Sequence, residues 1–192
     1  MSFLTEQQLR EHQPQATTWQ RPRYRNILTE ERGADITVFL SHSHHDRPLV
    51  EGLIAILDGI GIKIYVDWND NSMPRVTNRE TAEQIKGQIR QNTLFMILAT
   101  ERALGSKWVP WEVGIGDQVK GEEFILLIPV ADPSGQFHGN EYLQLYNHLD
   151  FGTLQFGAPL RSRYRVITRS QQDKGSLLEF MQSVQGRRPF FS

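Results

Sequence analysis

The segment ITVFLSHSHHDRPLVEGLIAILDG, residues 36–59, contains the pattern from which the fold can be inferred. Its first six residues form a short apolar run with β-branched side chains, which is typical of a buried strand. Asp46 can cap the helix that follows, and Pro48 fits its first turn because a backbone N–H is not needed there. Leucine and isoleucine then recur at helical spacing up to Gly59, which can end the helix. The segment therefore predicts a strand, a polar loop and a helix.

The same alternation of strands and helices recurs along the rest of the chain. We expect further strands at residues 62–68, 94–99, 124–130 and 164–168, and helices that begin at a capping box at 77–80, at residue 108 and at residue 177. Such alternation is typical of a parallel sheet with helices on both faces. The prediction is an α/β fold with a flavodoxin-like, five-stranded parallel sheet. The order 2-1-3-4-5 fits this fold, although the sequence alone leaves the order open.

Composition limits the classes of function. The chain has 192 residues, a net charge of −1 and no cysteine, which excludes disulfides and a cysteine nucleophile. The charge balance gives no general attraction to nucleic acid or to anionic lipid. Because neither a signal-peptide pattern nor a bilayer-length apolar run is visible, we expect a cytoplasmic protein without nucleic-acid or membrane partners.

The N-terminal part of the chain differs from the rest in amino-acid composition. Residues 1–33 are rich in Gln, Arg and Pro, with one short helix expected after Thr5. We interpret them as an extension that docks or stays mobile, and residues 34–192 as the domain.

A candidate site lies where the first and third strands end. Ligands of such sheets bind beyond the carboxyl ends of the strands at the switch point. The polar residues after the first strand are Ser41, His42 and Ser43. The segment SKWVPWEVG, residues 106–114, follows the third strand, and Pro110 favours the first turn of a helix. Glu112 then lies one turn after Trp108 on the same face. The alternative is that Trp108 and Trp111 pack in the core and Glu112 only complements the helix dipole.

The loop SHSHHD, residues 41–46, also permits a metal-site hypothesis. It begins like the H-x-H-x-D-H ligand set of β-lactamase-type metallo-hydrolases, but Arg47 stands in place of the last histidine. The candidate ligands are His42, His44 and Asp46. Zinc needs three or four ligands in tight geometry, so this is the weaker alternative and no metal is expected. The serine hydroxyls and backbone amides of the loop suit phosphate or ribose oxygens better.

Three of these segments together resemble a TIR domain (Toll/interleukin-1 receptor homology) of the bacterial, enzyme-like type. FLSHSHHD, residues 39–46, resembles the first box of that family, and WVPWE, residues 108–112, matches its W-x-x-x-E segment. The polar loop at residues 68–78 corresponds to the BB loop, but it lacks the glycine-containing pattern common in the family. The resemblance covers residues 34–184.

The resemblance implies an enzyme that cleaves NAD⁺ at the nicotinamide–ribose bond, within bacterial antiviral defence. The product would be ADP-ribose or a cyclic isomer, NAD⁺ being the substrate and no cofactor being required. Glu112 corresponds to the catalytic glutamate and Trp108 to an aromatic residue of the pocket. The further substrate-binding candidates are Ser41, His42, Ser43 and, more weakly, Trp68. Self-association through residues 68–78 and a separate effector protein that senses the product are the expected partners. The alternative function is a non-catalytic TIR interaction module.

The chemistry of this bond agrees with a single carboxylate. Ordinary glycosidases need two, because the leaving oxygen must be protonated. Nicotinamide leaves as a neutral pyridine, so one ionised carboxylate that stabilises the developing sugar cation is enough. A helix N-terminus favours the ionised form of Glu112, and Trp108 could stack on the substrate and exclude water.

Overall fold

The computed structural model describes residues 2–14, 37–59, 79–139, 141–152, 163–168 and 170–184, and the structural statements below refer to these residues. The strands are β1 Leu4–Thr5, β2 Val38–Ser41, β3 Leu94–Ala99, β4 Ile125–Ala131, β5 Asn147–Phe151, β6 Tyr164–Ile167 and β7 Asp173–Ser176. The helices are α1 Glu6–Glu11, α2 Arg47–Gly59, α3 Arg79–Gln91, α4 Glu101–Leu104, α5 Val109–Lys120 and α6 Leu177–Val184. None of these helices is both long and apolar enough to cross a lipid bilayer.

The strands form a mixed sheet with a parallel centre. In the order β2-β3-β4-β5-β6-β7, the strands from β2 to β5 are parallel neighbours, and β1 pairs in parallel with the end of β4. The predicted α/β class is confirmed, and the strands expected at residues 36–41, 94–99 and 124–130 are present with small shifts at their ends. The strand expected at 62–68, the loop 68–78 and the first two residues of the capping box lie outside the described residues.

The far edge of the sheet differs from the expectation of five parallel strands. β6 runs antiparallel to β5, and β7 runs antiparallel to β6. An antiparallel neighbour needs only a short connection, whereas a parallel neighbour needs a crossover of a dozen or more residues. The five residues between β6 and β7 are too few for a crossover, so these two strands form a hairpin.

Two apolar layers cover the faces of the sheet, as predicted. β3 is buried along its whole length, which explains its continuous apolar sequence. Leu94, Met96 and Leu98 contribute to the cluster that includes α2 and α6, while Phe95 and Ile97 contribute to the cluster that includes α3 and α5. Successive side chains of a strand point to opposite faces, so β3 supplies both layers of the core.

Residues 2–14 are docked on the sheet, while residues 15–33 of the predicted extension lie outside the described residues. Leu4 pairs with Val130 of β4, and the Phe151 N–H of β5 donates to the Ser2 carbonyl at 2.6 Å. The segment thus bridges the carboxyl ends of β4 and β5. The short helix expected after Thr5 is confirmed as α1, and Thr5 and Gln8 form a capping box at its start.

Helix α1 packs directly on α2 at a glycine. A Cβ built on Gly52 would lie 1.8 Å from the Leu9 carbonyl oxygen, so only glycine permits this approach. Leu9 itself is fully buried. The N-terminal helix therefore depends on one residue of α2 that has no side chain.

We predict that Gly52→Ala destabilises the protein by roughly 1–3 kcal/mol, because the added methyl group forces α1 away from α2. Gly87→Ala is the matched control in helix α3, where nothing lies within 4 Å of the added Cβ. There the substitution should stabilise by about 0.5–1 kcal/mol through helix propensity. Chemical denaturation measures both changes. Equal effects of the two substitutions would show that α1 does not pack as described.

Candidate active site

A buried carboxylate and a serine hydroxyl meet at the carboxyl edge of the sheet. The Ser41 Oγ–H donates to Glu112 Oε2 at 2.5 Å, across a sequence separation of 71 residues. Ser41 is the last residue of β2, and Glu112 lies in the first turn of α5, which follows β3. Because β2 and β3 are parallel neighbours, both segments start from the same edge. The sheet therefore brings together two residues that the sequence analysis assigned to one site.

The local geometry of the segment at residues 108–112 is as predicted. Pro110 lies in the first turn of α5, and the Glu112 N–H donates to the Trp108 carbonyl at 2.8 Å. Glu112 is therefore one turn beyond Trp108. Both residues are held by the same short piece of backbone.

Burial changes the protonation of Glu112. Its side chain is buried, and loss of water raises its pKa from 4.5 to about 7, although the hydrogen bond from Ser41 acts in the opposite direction. The helix N-terminus, by contrast, favours the ionised form, as the sequence predicts. Desolvation outweighs that effect, so near neutral pH the carboxyl group populates both forms. A group with this pKa can both carry a negative charge and exchange a proton.

Packing and a buried cation position α5 against the sheet. Gly116 allows close approach, since a Cβ there would lie 3.2 Å from the Phe95 ring of β3. At the C-terminal end of the helix, the buried Lys120 Nζ donates to the Asn92 carbonyl just before β3. Burial lowers the pKa of Lys120 to about 8. The helix that carries Glu112 is thus anchored along its length.

The two tryptophans of the segment pack on each other. Trp108 and Trp111 have ring centroids 5.2 Å apart at an interplanar angle of 78°, and both are partly buried against the cluster of α3 and α5. The Trp108 backbone N–H donates to Ser106 Oγ at 3.0 Å. Part of the core-packing alternative therefore holds, while neither tryptophan is fully buried. The role of Trp108 towards a substrate stays a prediction.

The loop after β2 has an ordered hydrogen-bond pattern. His42 Nδ1 donates to the Leu40 carbonyl at 2.9 Å, and burial lowers its pKa, so the imidazole is neutral at pH 7. The Ser43 hydroxyl accepts from the His45 N–H at 3.4 Å and caps the short 3₁₀ turn His44–Asp46. The predicted binding residues Ser41, His42 and Ser43 therefore lie on one turn beside Glu112, whereas Trp68 lies outside the described residues.

Asp46 connects this loop to the loop after β3. It is completely buried and accepts hydrogen bonds from the Thr100 hydroxyl and, at 3.2 Å, from Arg102 Nη1. Thr100 also caps α4 by accepting from the Ala103 N–H at 3.0 Å. Local sequence patterns do not predict these contacts, since the partners are 54 and 56 residues away.

The metal-site hypothesis finds no support in the described residues. They contain no group of three or more His, Asp or Glu side chains that could hold a metal ion. The two oxygens of Asp46 bind Thr100 and Arg102, and the protonated Nδ1 of His42 is bound to the Leu40 carbonyl. Both oxygens of Asp46, one of the three ligands that the hypothesis requires, are therefore already bound to protein partners.

Comparison with known proteins agrees with the resemblance. The family described as "TIR domain" matches residues 38–161. A probable 3′ cyclic ADP-D-ribose synthase, ThsB′, of Bacillus cereus (strain MSX-D12) is 32% identical over 61% of this chain and 62% of the relative. A putative cyclic ADP-D-ribose synthase, TIR2, of Cytobacillus dafuensis is 26% identical over 50% of this chain and 29% of the relative. The chain thus spans less than two thirds of the length of either relative.

The raised pKa of Glu112 predicts a pH-dependent stability difference between the protein and its Glu112→Gln variant. Between about pH 4.5 and pH 7 the folded state keeps a proton that the unfolded state has lost, so wild-type stability falls as pH rises. The slope is at most about 1.4 kcal/mol per pH unit. Glutamine does not titrate, and the variant should gain relative stability over this window and no more above it. Denaturation at several pH values measures the difference, and a difference independent of pH would contradict a buried, proton-binding Glu112.

Proposed function

The chain belongs to the TIR domain family, and on this basis we propose that it is an enzyme that cleaves NAD⁺ at the nicotinamide–ribose bond. The observation that carries the proposal is the buried Glu112 carboxyl group, hydrogen-bonded to Ser41 at the ligand-binding edge of the sheet. The two relatives are named as synthases of cyclic ADP-D-ribose, a product that is made from NAD⁺. NAD⁺ is the substrate in this proposal, and no additional cofactor is required.

Bond cleavage places a positive charge beside Glu112. When the C1′–N bond breaks, its electron pair stays on the nicotinamide nitrogen and nicotinamide leaves as a neutral pyridine. The ribose becomes oxocarbenium-like, and an ionised carboxylate in a water-poor site stabilises that charge strongly. The Ser41 hydroxyl holds the carboxylate in place by donating to one oxygen, Oε2. In this proposal the other carboxylate oxygen interacts with the ribose.

The second half of the reaction needs a base. An oxygen nucleophile adds to C1′, and its proton must go to an acceptor. Glu112, with a pKa near 7, is suited to receive that proton and to return it to solvent. Water as the nucleophile gives ADP-ribose, and a hydroxyl group of the same substrate molecule gives a cyclic isomer. The names of both relatives favour the cyclic product.

The access of water to C1′ decides between these products. Trp108 is partly buried next to the turn that carries Glu112, and its accessible portion can stack on an aromatic ring of the substrate. A stacked ring would exclude water from one face of the ribose, which favours the intramolecular hydroxyl. In this proposal His42 and Ser43, on the loop after β2, line the same pocket.

The finer aspects of the biological role rest on the family resemblance. We include in the proposal a cytoplasmic location, a part in bacterial antiviral defence and an effector protein that senses the product. Self-association through residues 68–78 also belongs here, and it is supported by residue types suited to contact surfaces, among them Trp68 and Met73.

Replacement of Glu112 tests the enzyme proposal. Glu112→Gln keeps the size and the bond to Ser41 but removes the charge, so we expect release of nicotinamide to fall by roughly a hundredfold or more. Chromatography after incubation with NAD⁺ measures nicotinamide and separates linear from cyclic ADP-ribose. Glu123→Gln, at an exposed residue before β4, is the matched control and should keep full activity.

Two outcomes would contradict the proposal. No turnover of NAD⁺ by the folded wild-type protein, at any concentration, would favour the non-catalytic interaction module. Turnover that survives in folded Glu112→Gln protein would assign the chemistry to another residue.

Self-association predicts that activity depends on protein concentration. If neighbouring subunits complete the pocket, specific activity should rise as the protein is concentrated, because ordering a loop in the isolated monomer costs free energy. Changing Met73 and Arg75 together to Glu should flatten that rise. Activity assays with parallel light scattering make the measurement. A constant specific activity at constant mass would show that residues 68–78 are not an assembly surface.

A further inference from the structure

An arginine at the carboxyl edge of the sheet is held by a buried carboxylate. Arg102 Nη1 lies 3.2 Å from Asp46 Oδ1, and the Asp46 side chain is 0% exposed. Among the ion pairs of the described residues, only this one has a completely buried carboxylate. The acidic partners in the other ion pairs are at least 16% exposed. A charge–charge hydrogen bond to a rigid, buried partner fixes the guanidinium better than a surface pair does.

The same arginine faces solvent. Half of the Arg102 side chain is exposed. Its other N–H groups have no polar partner among the described residues, although a guanidinium carries five such donors in a fixed plane. The donors that Asp46 does not use are therefore on the solvent side of the ion pair. The geometry is that of a fixed, planar donor group at the rim of a site.

Arg102 lies at the rim of the site that contains Glu112. Ser41, which binds Glu112, and Asp46, which binds Arg102, belong to one loop and are separated by at most about 18 Å of extended chain. Thr100 and Arg102 follow β3 directly, next to β2 in the sheet. The loop after β2, which contacts both Glu112 and Arg102, therefore lies beside the segment after β3 that carries these two residues, at the same edge of the sheet.

We propose that Arg102 binds the pyrophosphate of the substrate, held in position by Asp46. The inference rests on the proposed function, because it takes NAD⁺ as the ligand. In NAD⁺ the anionic pyrophosphate is attached to the 5′ carbon of the ribose whose C1′ reacts at Glu112, so it must lie close to that edge. Planar, bidentate donors suit phosphate oxygens. Arg102 thereby selects dinucleotides over nicotinamide ribosides, which lack phosphate.

Binding measured in a catalytically impaired background tests the inference without requiring activity. Calorimetry on Glu112→Gln protein gives Kd values for NAD⁺, ADP-ribose and nicotinamide riboside. Adding Arg102→Gln should raise the Kd for NAD⁺ and for ADP-ribose by roughly tenfold or more, since charge-assisted hydrogen bonds are lost. Affinity for nicotinamide riboside should stay the same. Arg102→Lys should recover part of the loss, because it keeps the charge but not the planar fork.

Two further variants separate substrate binding from structural support. Arg47→Gln is the matched control, since Arg47 is also exposed, directly follows Asp46 in the chain and pairs with Glu51 of α2. It should leave all three affinities unchanged. The double change Asp46→Asn with Arg102→Gln removes both charges and leaves no buried charge unpaired. If Arg102 only compensated the charge of Asp46, this double variant would bind NAD⁺ as tightly as the Glu112→Gln protein does. We expect it to bind as weakly as Arg102→Gln alone.

The outcomes distinguish this inference from the proposed function. Equal weakening of all three ligands, or normal NAD⁺ affinity in the double variant, would overturn the role of Arg102. Discrimination by Arg102 together with no turnover in wild-type protein would keep the binding site and overturn the enzymatic proposal. Absence of any NAD⁺ binding would overturn both.

Discussion

The hydrogen bond between Ser41 and Glu112 depends on the parallel pairing of β2 and β3. Parallel strands end at one edge of a sheet, so the loops that follow them meet even when 71 residues separate them. Helix α5 completes the arrangement, because Gly116 lets it lie close to Phe95 and places its first turn at that edge. The contact leaves one carboxylate in an environment with little water, and this environment determines its chemistry.

A second polar connection stabilises the same edge. Asp46 lies in the loop that begins with Ser41, and it binds Thr100 and Arg102 on the segment that leads towards Glu112. Each loop is therefore tied to the other at two points. Fixed loops reduce the reorganisation that a charged transition state would otherwise require, which is the physical basis of electrostatic catalysis.

Local patterns in the sequence predicted the elements with strong periodicity. The strands β2 and β3, the helix α2 and the position of Glu112 one turn after Trp108 all follow from spacing within a few residues. β5 was not predicted, because NHLDF has only two buried apolar residues, Leu149 and Phe151, and an alternation this short is a weak strand signal. β1 has two residues and is defined only by its pairing with β4. The antiparallel direction of β6 and the partners of Asp46 likewise arise from contacts distant in sequence, which periodicity does not encode.

The role of a desolvated Glu112 is tested most directly by the pH dependence of kcat/KM for NAD⁺ cleavage, which reports ionisations of the free enzyme. We expect kcat/KM to rise with pH through an apparent pKa of about 7, because the buried Glu112 must lose its proton to act. A profile that is flat between about pH 6 and pH 8, or that rises with a pKa near the ordinary value of 4.5, would contradict a desolvated catalytic Glu112.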